Sequence, residues 1–212
     1  MGQRWGFIGI VNNNRKKITM KNTFFFSDPH FDHFNIMRYC NRPFKTVDEM
    51  GETIIANHNA VVNTNDDVYI LGDLAFDKRD PKRTVEKFAR RLNGHLHWIF
   101  GNHDHQQARA AEGFAWKGEY KKIKVGGHKI ILFHYPILGW DCKHYGSIHF
   151  HGHVHDGTFH EEMVPEKFKG RCLNTCVDVT GFRPLEFEET LVELRKIKWE
   201  PPEFSRSRIL PL

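Results

Sequence analysis

No apolar run in this 212-residue chain approaches the roughly 20 residues needed to span a bilayer. The longest are short, such as Ile130–Phe133, so no membrane-crossing helix is predicted. The N-terminal residues lack a basic segment followed by an apolar stretch and a small-residue cleavage site, so no signal peptide is read there. Cysteine is scarce. Cys40, Cys142, Cys172 and Cys176 form no C-x-x-C pair and no disulfide-dense pattern, which points to reduced thiols and a cytoplasmic setting. There is no internal repeat, no low-complexity tract and no linker long enough to divide the chain. Residues 1–22 read as a peripheral extension and residues 23–212 as a single domain, long enough to bury a sizeable core.

What is present in excess is histidine. The chain has 15, more than packing alone ordinarily requires, beside a net charge of +5 and a pI near 9 that favour anionic ligands such as phosphates, nucleotides or nucleic acid. Apolar patterning predicts strands at Thr23–Ser27, Val68–Leu71 and His97–Phe100, with helices between them. One helix opens at a capping-box sequence, Thr46-Val47-Asp48-Glu49, and another at Asp80-Pro81. The later half reads as a hairpin, Lys121–Val125 and His128–Phe133 about Gly126-Gly127, then strands at Ser147–His151 and Leu173–Val179 and a helix over Glu186–Lys196. This order suggests an α/β fold of two packed mixed sheets flanked by helices.

Five segments end a strand or open a loop with metal-binding side chains: Asp28-Pro29-His30, Gly72-Asp73, Gly101-Asn102-His103-Asp104, His134, and Gly152-His153-Val154-His155. In α/β folds the loops at strand carboxyl ends gather in one crevice, so segments distant in sequence can share a site. D-x-H and H-x-H are expected to place both side chains on one side of an extended backbone. Glycine before Asp73, Asn102 and His153 permits sharp turns or close approach.

Taken in order, D-x-H, G-D, G-N-H-D, H and G-H-x-H resemble the motifs of the calcineurin-like metallophosphoesterase superfamily, over roughly Thr23 to Thr190. Phe26–Pro43 and Asn174–Pro184 resemble its small bacterial and phage-encoded members, although Asp32 stands where that group usually carries glycine. The resemblance implies the superfamily's four-layer sandwich and a dinuclear centre. Asp28, His30 and His155 would hold one divalent ion, Asn102, His134 and His153 the other, and Asp73 would bridge them. It further implies hydrolysis of phosphate esters by an activated water between the ions. His103 would protonate the leaving group or stabilise phosphoryl oxygens, and Asp104 would hold the His103 ring. Imidazole ligands suit Mn, Fe, Zn or Ni, while the oxygen ligands leave Mg open.

His33 and Asn35 follow the first motif and can reach the pocket or merely shape it. Arg42 and Phe44 are candidates to touch a phosphate and a base, with packing as the alternative. Tyr135, Pro136 and Trp140 follow His134 and could line the mouth. His149 and His151 are read as structural, and Lys121, Lys122, Lys124 and Lys129 as a solvated hairpin face. Phosphodiesterase action on nucleotide-derived substrates is the leading expectation. A phosphomonoesterase or protein phosphatase, a nuclease, and a scaffold without catalysis are the alternatives.

Overall fold

The computed structural model describes residues 21–155 and 170–196. The expected extension over residues 1–22 therefore lies outside the described residues, apart from Lys21 and Asn22. The strands are β1 (Thr23–Phe26), β2 (Asp67–Leu71), β3 (His95–Ile99), β4 (Trp116–Gly118), β5 (Tyr120–Val125), β6 (His128–Phe133), β7 (Ile148–His151), β8 (Cys172–Asn174) and β9 (Leu185–Glu186). The helices are α1 (Phe34–Tyr39), α2 (Val47–Val61), α3 (Pro81–Ala89), α4 (Gln106–Arg109), α5 (Val177–Thr180) and α6 (Phe187–Lys196). None of the described helices is long and apolar enough to cross a membrane.

Two mixed sheets result. One has the order β4-β3-β2-β1-β9, parallel except for β9; the other has the order β5-β6-β7-β8, parallel except for β5. The period of two along β1 decides how the layers stack. Phe25 faces the second sheet, with its ring stacked on Tyr69 at 5.6 Å and edge-on to Phe150 at 4.8 Å. Phe24 and Phe26 face the opposite way and join Ile36, Met50, Ile54, Val85 and Phe88 beneath the helices. Each such buried ring contributes roughly 1.5–3 kcal/mol. The fold is the expected α/β sandwich of two packed sheets with helices outside.

Local signals account for the helix starts. The Thr46 hydroxyl accepts a hydrogen bond from Glu49 N–H at 3.1 Å, while the Glu49 carboxylate accepts from Lys45 N–H, one residue earlier than a strict capping box. Asp80 accepts from Arg83 N–H, and Pro81 takes the first helical position. One expectation needs correcting. The strand anticipated over Leu173–Val179 stops at Asn174, and Val177–Thr180 is a turn of helix. The cause is local: the Asn174 side chain accepts from Cys176 N–H and turns the chain out of the sheet.

Buried His58 yields a pH prediction. One of its ring nitrogens lies 2.9 Å from the Asn93 carbonyl and the other has no partner. Burial, opposed by that carbonyl bond, pushes its pKa down to about 4. The unfolded chain takes up this proton near pH 6.5, so stability should fall as pH drops from about 6.5 towards 4, by up to ~3 kcal/mol from this group. His58→Gln retains a donor and does not titrate. Denaturant titrations at pH 7 and pH 4.5 should show a smaller acid loss for it than for the wild type; equal losses would exclude the assignment.

Candidate metal centre

The five motif segments converge at the carboxyl ends of β1, β2, β3, β6 and β7, so both sheets contribute. Their side-chain atoms form a continuous arc. His155 Nε2 lies 3.9 Å from Asp28 Oδ1, which lies 4.0 Å from His30 Nε2. His30 Nε2 is 3.6 Å from Asp73 Oδ2, and the same Oδ2 is 3.6 Å from His134 Nε2. His134 Nε2 is 2.9 Å from Asn102 Oδ1, which is 3.0 Å from His153 Nδ1. Asp73 stands at the midpoint of the arc.

Hydrogen bonds on the far side of the rings fix what this arc presents. His134 Nδ1 is 2.8 Å from the Leu71 carbonyl and must donate to it, leaving a lone pair on Nε2. His155 Nδ1 lies 2.7 Å from Asp178 Oδ2 and donates in the same way. His30 Nδ1 meets His33 Nδ1 at 3.2 Å. The inward atoms are therefore mostly acceptors facing acceptors. Asp28 Oδ1 and His30 Nε2 are buried with no hydrogen-bond partner, a costly arrangement unless a cation satisfies them. Among the described residues, Asp28, His30 and Asp73 form one group able to hold a metal ion, and Asp28, His155 and Cys176 form another. The residues fit divalent metal.

The electrostatics agree. Burial holds the His30 pKa well below its ordinary value, aided by Arg42 and the neighbouring rings, and burial lowers His153. Both rings are thus kept in the neutral form that ligation requires. Burial raises the Asp73 pKa, with the neighbouring Asp28 charge adding to it and His134 and His103 opposing it. His155 differs: burial works against its cation, yet hydrogen bonds to Asp178 and Cys40 with the nearby Asp28 charge carry its pKa up to about 10.

The backbone corrects the reading of D-x-H and H-x-H as extended pairs. Asp28, His30, Asp73 and His153 have φ of +57°, +51°, +52° and +70°, the left-handed region that costs most side chains energy. The side chains meet because the loops are wound tightly. Asp32, which stands where the resemblance leads one to expect glycine, has φ +60°, a left-handed conformation that glycine adopts without steric cost. Its carboxylate pairs with Lys87 at 3.1 Å. The glycine reading holds at Gly152, where a Cβ would overlap Asp28 Oδ2 and the Ser27 side chain.

Three other expectations change. Asp104 does not hold His103. It is fully buried and accepts from the backbone N–H of Asp73, Leu74 and Gly101 and from the Trp98 indole. It ties the loop after β2 to the loop after β3. Burial and the adjacent Asp73 raise its pKa to about 7, against the donors that favour its anion. Arg42 is not a substrate ligand. Its guanidinium is spent on both Asp178 oxygens, the Asp28 and Pro29 carbonyls and Met50 sulfur. Trp140 lies away from the centre, donating to the Ser147 carbonyl with its ring 5.5 Å from His149. Tyr135 takes the rim position instead, its ring 4.8 Å from His153 and 5.0 Å from His134. His103 does reach the centre, its ring 5.3 Å from His30 and 5.6 Å from Phe76. His33 is buried between His30 and the Phe76 ring, and Asn35 is exposed on α1. His149 and His151 are buried against backbone carbonyls, as packing residues should be.

Sequence reasoning missed Asp178. It orients His155 while pairing with Arg42, and no spacing links it to either; the only pointer was its place in the Asn174–Pro184 stretch. Asp178→Asn keeps an acceptor for His155 but leaves a buried guanidinium short of its counter-charge. We expect a loss of about 3 kcal/mol in stability and roughly 10- to 100-fold weaker Mn binding. Thermal melts and calorimetric Mn titration would read these, and wild-type values in both would count against the role.

Fold and site together define a two-sheet α/β domain with a His/Asp/Asn cluster at the strand ends, part of which is able to hold a metal ion. No family model matches the chain. The chain is 34% identical over 171 residues, 81% of its length and 90% of the relative's, to uncharacterized protein MJ1445 of Methanocaldococcus jannaschii, and it belongs to that protein's family. It is 28% identical over 163 residues, 64% of this chain and 78% of the relative, to the gene 66 protein of Mycobacterium phage L5. A protein of unknown function from Aquifex aeolicus, AQ665, has a similar crystal structure: TM-score 0.63, 26% identity, covering 80% of this chain and 97% of that one. Looser likenesses, at TM-scores of 0.40 and 0.35, are to the nuclease MPE of Pseudomonas putida (18% identity, 63% of this chain and 61% of that one) and to the E. coli phosphoesterase YfcE (16%, 73% and 78%).

Proposed function

We propose that this protein hydrolyses phosphate esters, diesters foremost, using two divalent metal ions. The observation that carries the reading is the arc of seven ligand atoms with Asp73 Oδ2 equidistant, at 3.6 Å, from His30 Nε2 and His134 Nε2. Asp28, His30 and His155 would serve one position, Asn102, His134 and His153 the other, and Asp73 both. The motif order and this geometry together support a place in the calcineurin-like metallophosphoesterase superfamily. Bound ions would supply Lewis acidity, polarising phosphoryl oxygens and acidifying water near neutral pH.

The chain's own groups do the rest. His103 faces the arc over His30 and is placed to give a proton to the leaving oxygen. Its backbone N–H donates to Asp73 Oδ1 at 2.8 Å, so ring and bridging carboxylate keep a fixed relation. Phe76 and Tyr135 shield the rim from water. The test is hydrolysis of bis-p-nitrophenyl phosphate and p-nitrophenyl phosphate by metal-free protein reloaded with Mn, Ni, Zn or Mg. Faster turnover of the diester is expected. Preference for the monoester would make the protein a phosphomonoesterase, and no turnover with any metal would leave a metal-binding scaffold.

A further inference from the structure

Beside the centre, on the far side of His33 and Phe76, a groove of about 410 Å³ runs along the surface between the start of α1 and the loop preceding α3. Phe34 and Phe76 line it with Asn35, Lys78 and Arg79. Two independent features of this groove lack a structural purpose. Phe34 is 67% exposed, an unusual position for a phenyl ring that packs against nothing in the core. Lys78 and Arg79 are exposed, and among the described residues neither forms an ion pair. The groove's own carboxylates are already engaged: Asp77 accepts from Arg79 N–H and the Thr84 hydroxyl, and Asp32 pairs with Lys87. Two cations that no salt bridge holds therefore stand beside an exposed aromatic face, Lys78 with its ammonium 5.9 Å from the Phe76 ring centroid and Arg79 beside the Asp77 carboxylate. Phe76 links this groove to the centre directly, with its ring against His33 at 4.3 Å and His103 at 5.6 Å.

An aromatic platform beside exposed cations is the combination that holds single-stranded nucleic acid, by stacking a base and neutralising a neighbouring phosphate. We infer that the groove lined by Phe34, Lys78 and Arg79 binds the nucleotide next to the scissile phosphate of a short single-stranded oligonucleotide. This rests on the phosphodiesterase reading above and narrows its substrate class. The charged β5–β6 hairpin is the rival surface, but there Lys122 and Lys129 both pair with Asp141, whereas neither groove cation forms a salt bridge among the described residues.

The experiment pairs binding with turnover, so that the two proposals fail separately. Anisotropy of a fluorescein-labelled, hydrolysis-resistant phosphorothioate hexathymidylate, read on Mn-loaded full-length protein at several salt concentrations, tests the groove alone. Lys78→Ala/Arg79→Ala should weaken binding about 10-fold or more and flatten the salt dependence by one to two phosphate contacts. Phe34→Ala should weaken it about 5-fold, with the salt slope kept, because stacking is not ionic. In turnover of the oligonucleotide the loss should appear in KM rather than kcat, and exceed the loss on bis-p-nitrophenyl phosphate at least 5-fold. A wild-type protein that does not bind the oligomer overturns the inference. So do groove variants that bind like wild type, or Lys122→Ala/Lys124→Ala losing as much as the groove pair. Failure to hydrolyse bis-p-nitrophenyl phosphate with any metal would strike the phosphodiesterase reading and leave the binding result to stand by itself.

Discussion

Asp73→Asn is expected to abolish turnover of bis-p-nitrophenyl phosphate, by about 1,000-fold or more, and to empty both metal positions together. The carboxylate lies 3.6 Å from His30 in one half of the arc and 3.6 Å from His134 in the other. An amide there removes the anion that would separate two mutually repelling cations. It would also aim N–H donors at lone pairs on His30 and His134. Metal analysis after gel filtration should find well under one ion per chain. The metal-free variant should nevertheless melt no lower than metal-free wild type. Burial already penalises the Asp73 anion, and that anion raises the pKa of Asp104 behind it. Loss of function with retained or increased stability is what a site built at the expense of the fold predicts. A variant holding two ions per chain would remove the bridging role from Asp73.

His103→Ala should give the opposite separation. The ring contributes no atom to the ligand arc, and its backbone N–H to Asp73 survives the substitution. Both ions should stay, with affinity within a few-fold of wild type, while kcat falls roughly 100- to 1,000-fold, the range for losing a general acid. The loss should be smaller for p-nitrophenolate, which leaves readily without a proton, than for an alkyl leaving group. If the substitution instead emptied a metal position, His103 would be a ligand and the proton would have to come from elsewhere. Asp104→Asn makes a useful contrast. It should act mainly through stability, because its oxygens are spent on three backbone N–H groups and the Trp98 indole rather than on the His103 ring.

Much of this molecule was legible from its residues, for reasons that differ between parts. The aromatic run Thr23–Phe26 and the turn at Gly126-Gly127 each had a periodicity or turn chemistry that survives in any context. The seven arc residues were legible because their types are chemically rare in combination and recur at strand ends. The short elements were not: α1, α4, β4 and β9 span between two and six residues each, too few for a pattern to rise above accident. Nor was the division of labour among the charged residues. Arg42 stood between phosphate ligand and packing residue because a guanidinium looks the same in sequence whether its donors are free or spent; only folding brings Asp178, 136 positions away, onto it. Asp104 was assigned to His103 through the family resemblance, whereas its oxygens accept from the Asp73, Leu74 and Gly101 N–H groups and the Trp98 indole. The left-handed backbone at four ligands has no signature in residues other than glycine.

Because three of the converging loops leave one sheet and two leave the other, whatever occupies the centre is a rivet through the β-sandwich rather than a passenger on one face of it. Separating the layers would mean surrendering the occupant. Resistance to unfolding should therefore rise with the logarithm of free metal above its dissociation constant, as for any ligand bound by the native state alone. In such a protein, scarcity of metal would be felt first as fragility and only afterwards as lost turnover.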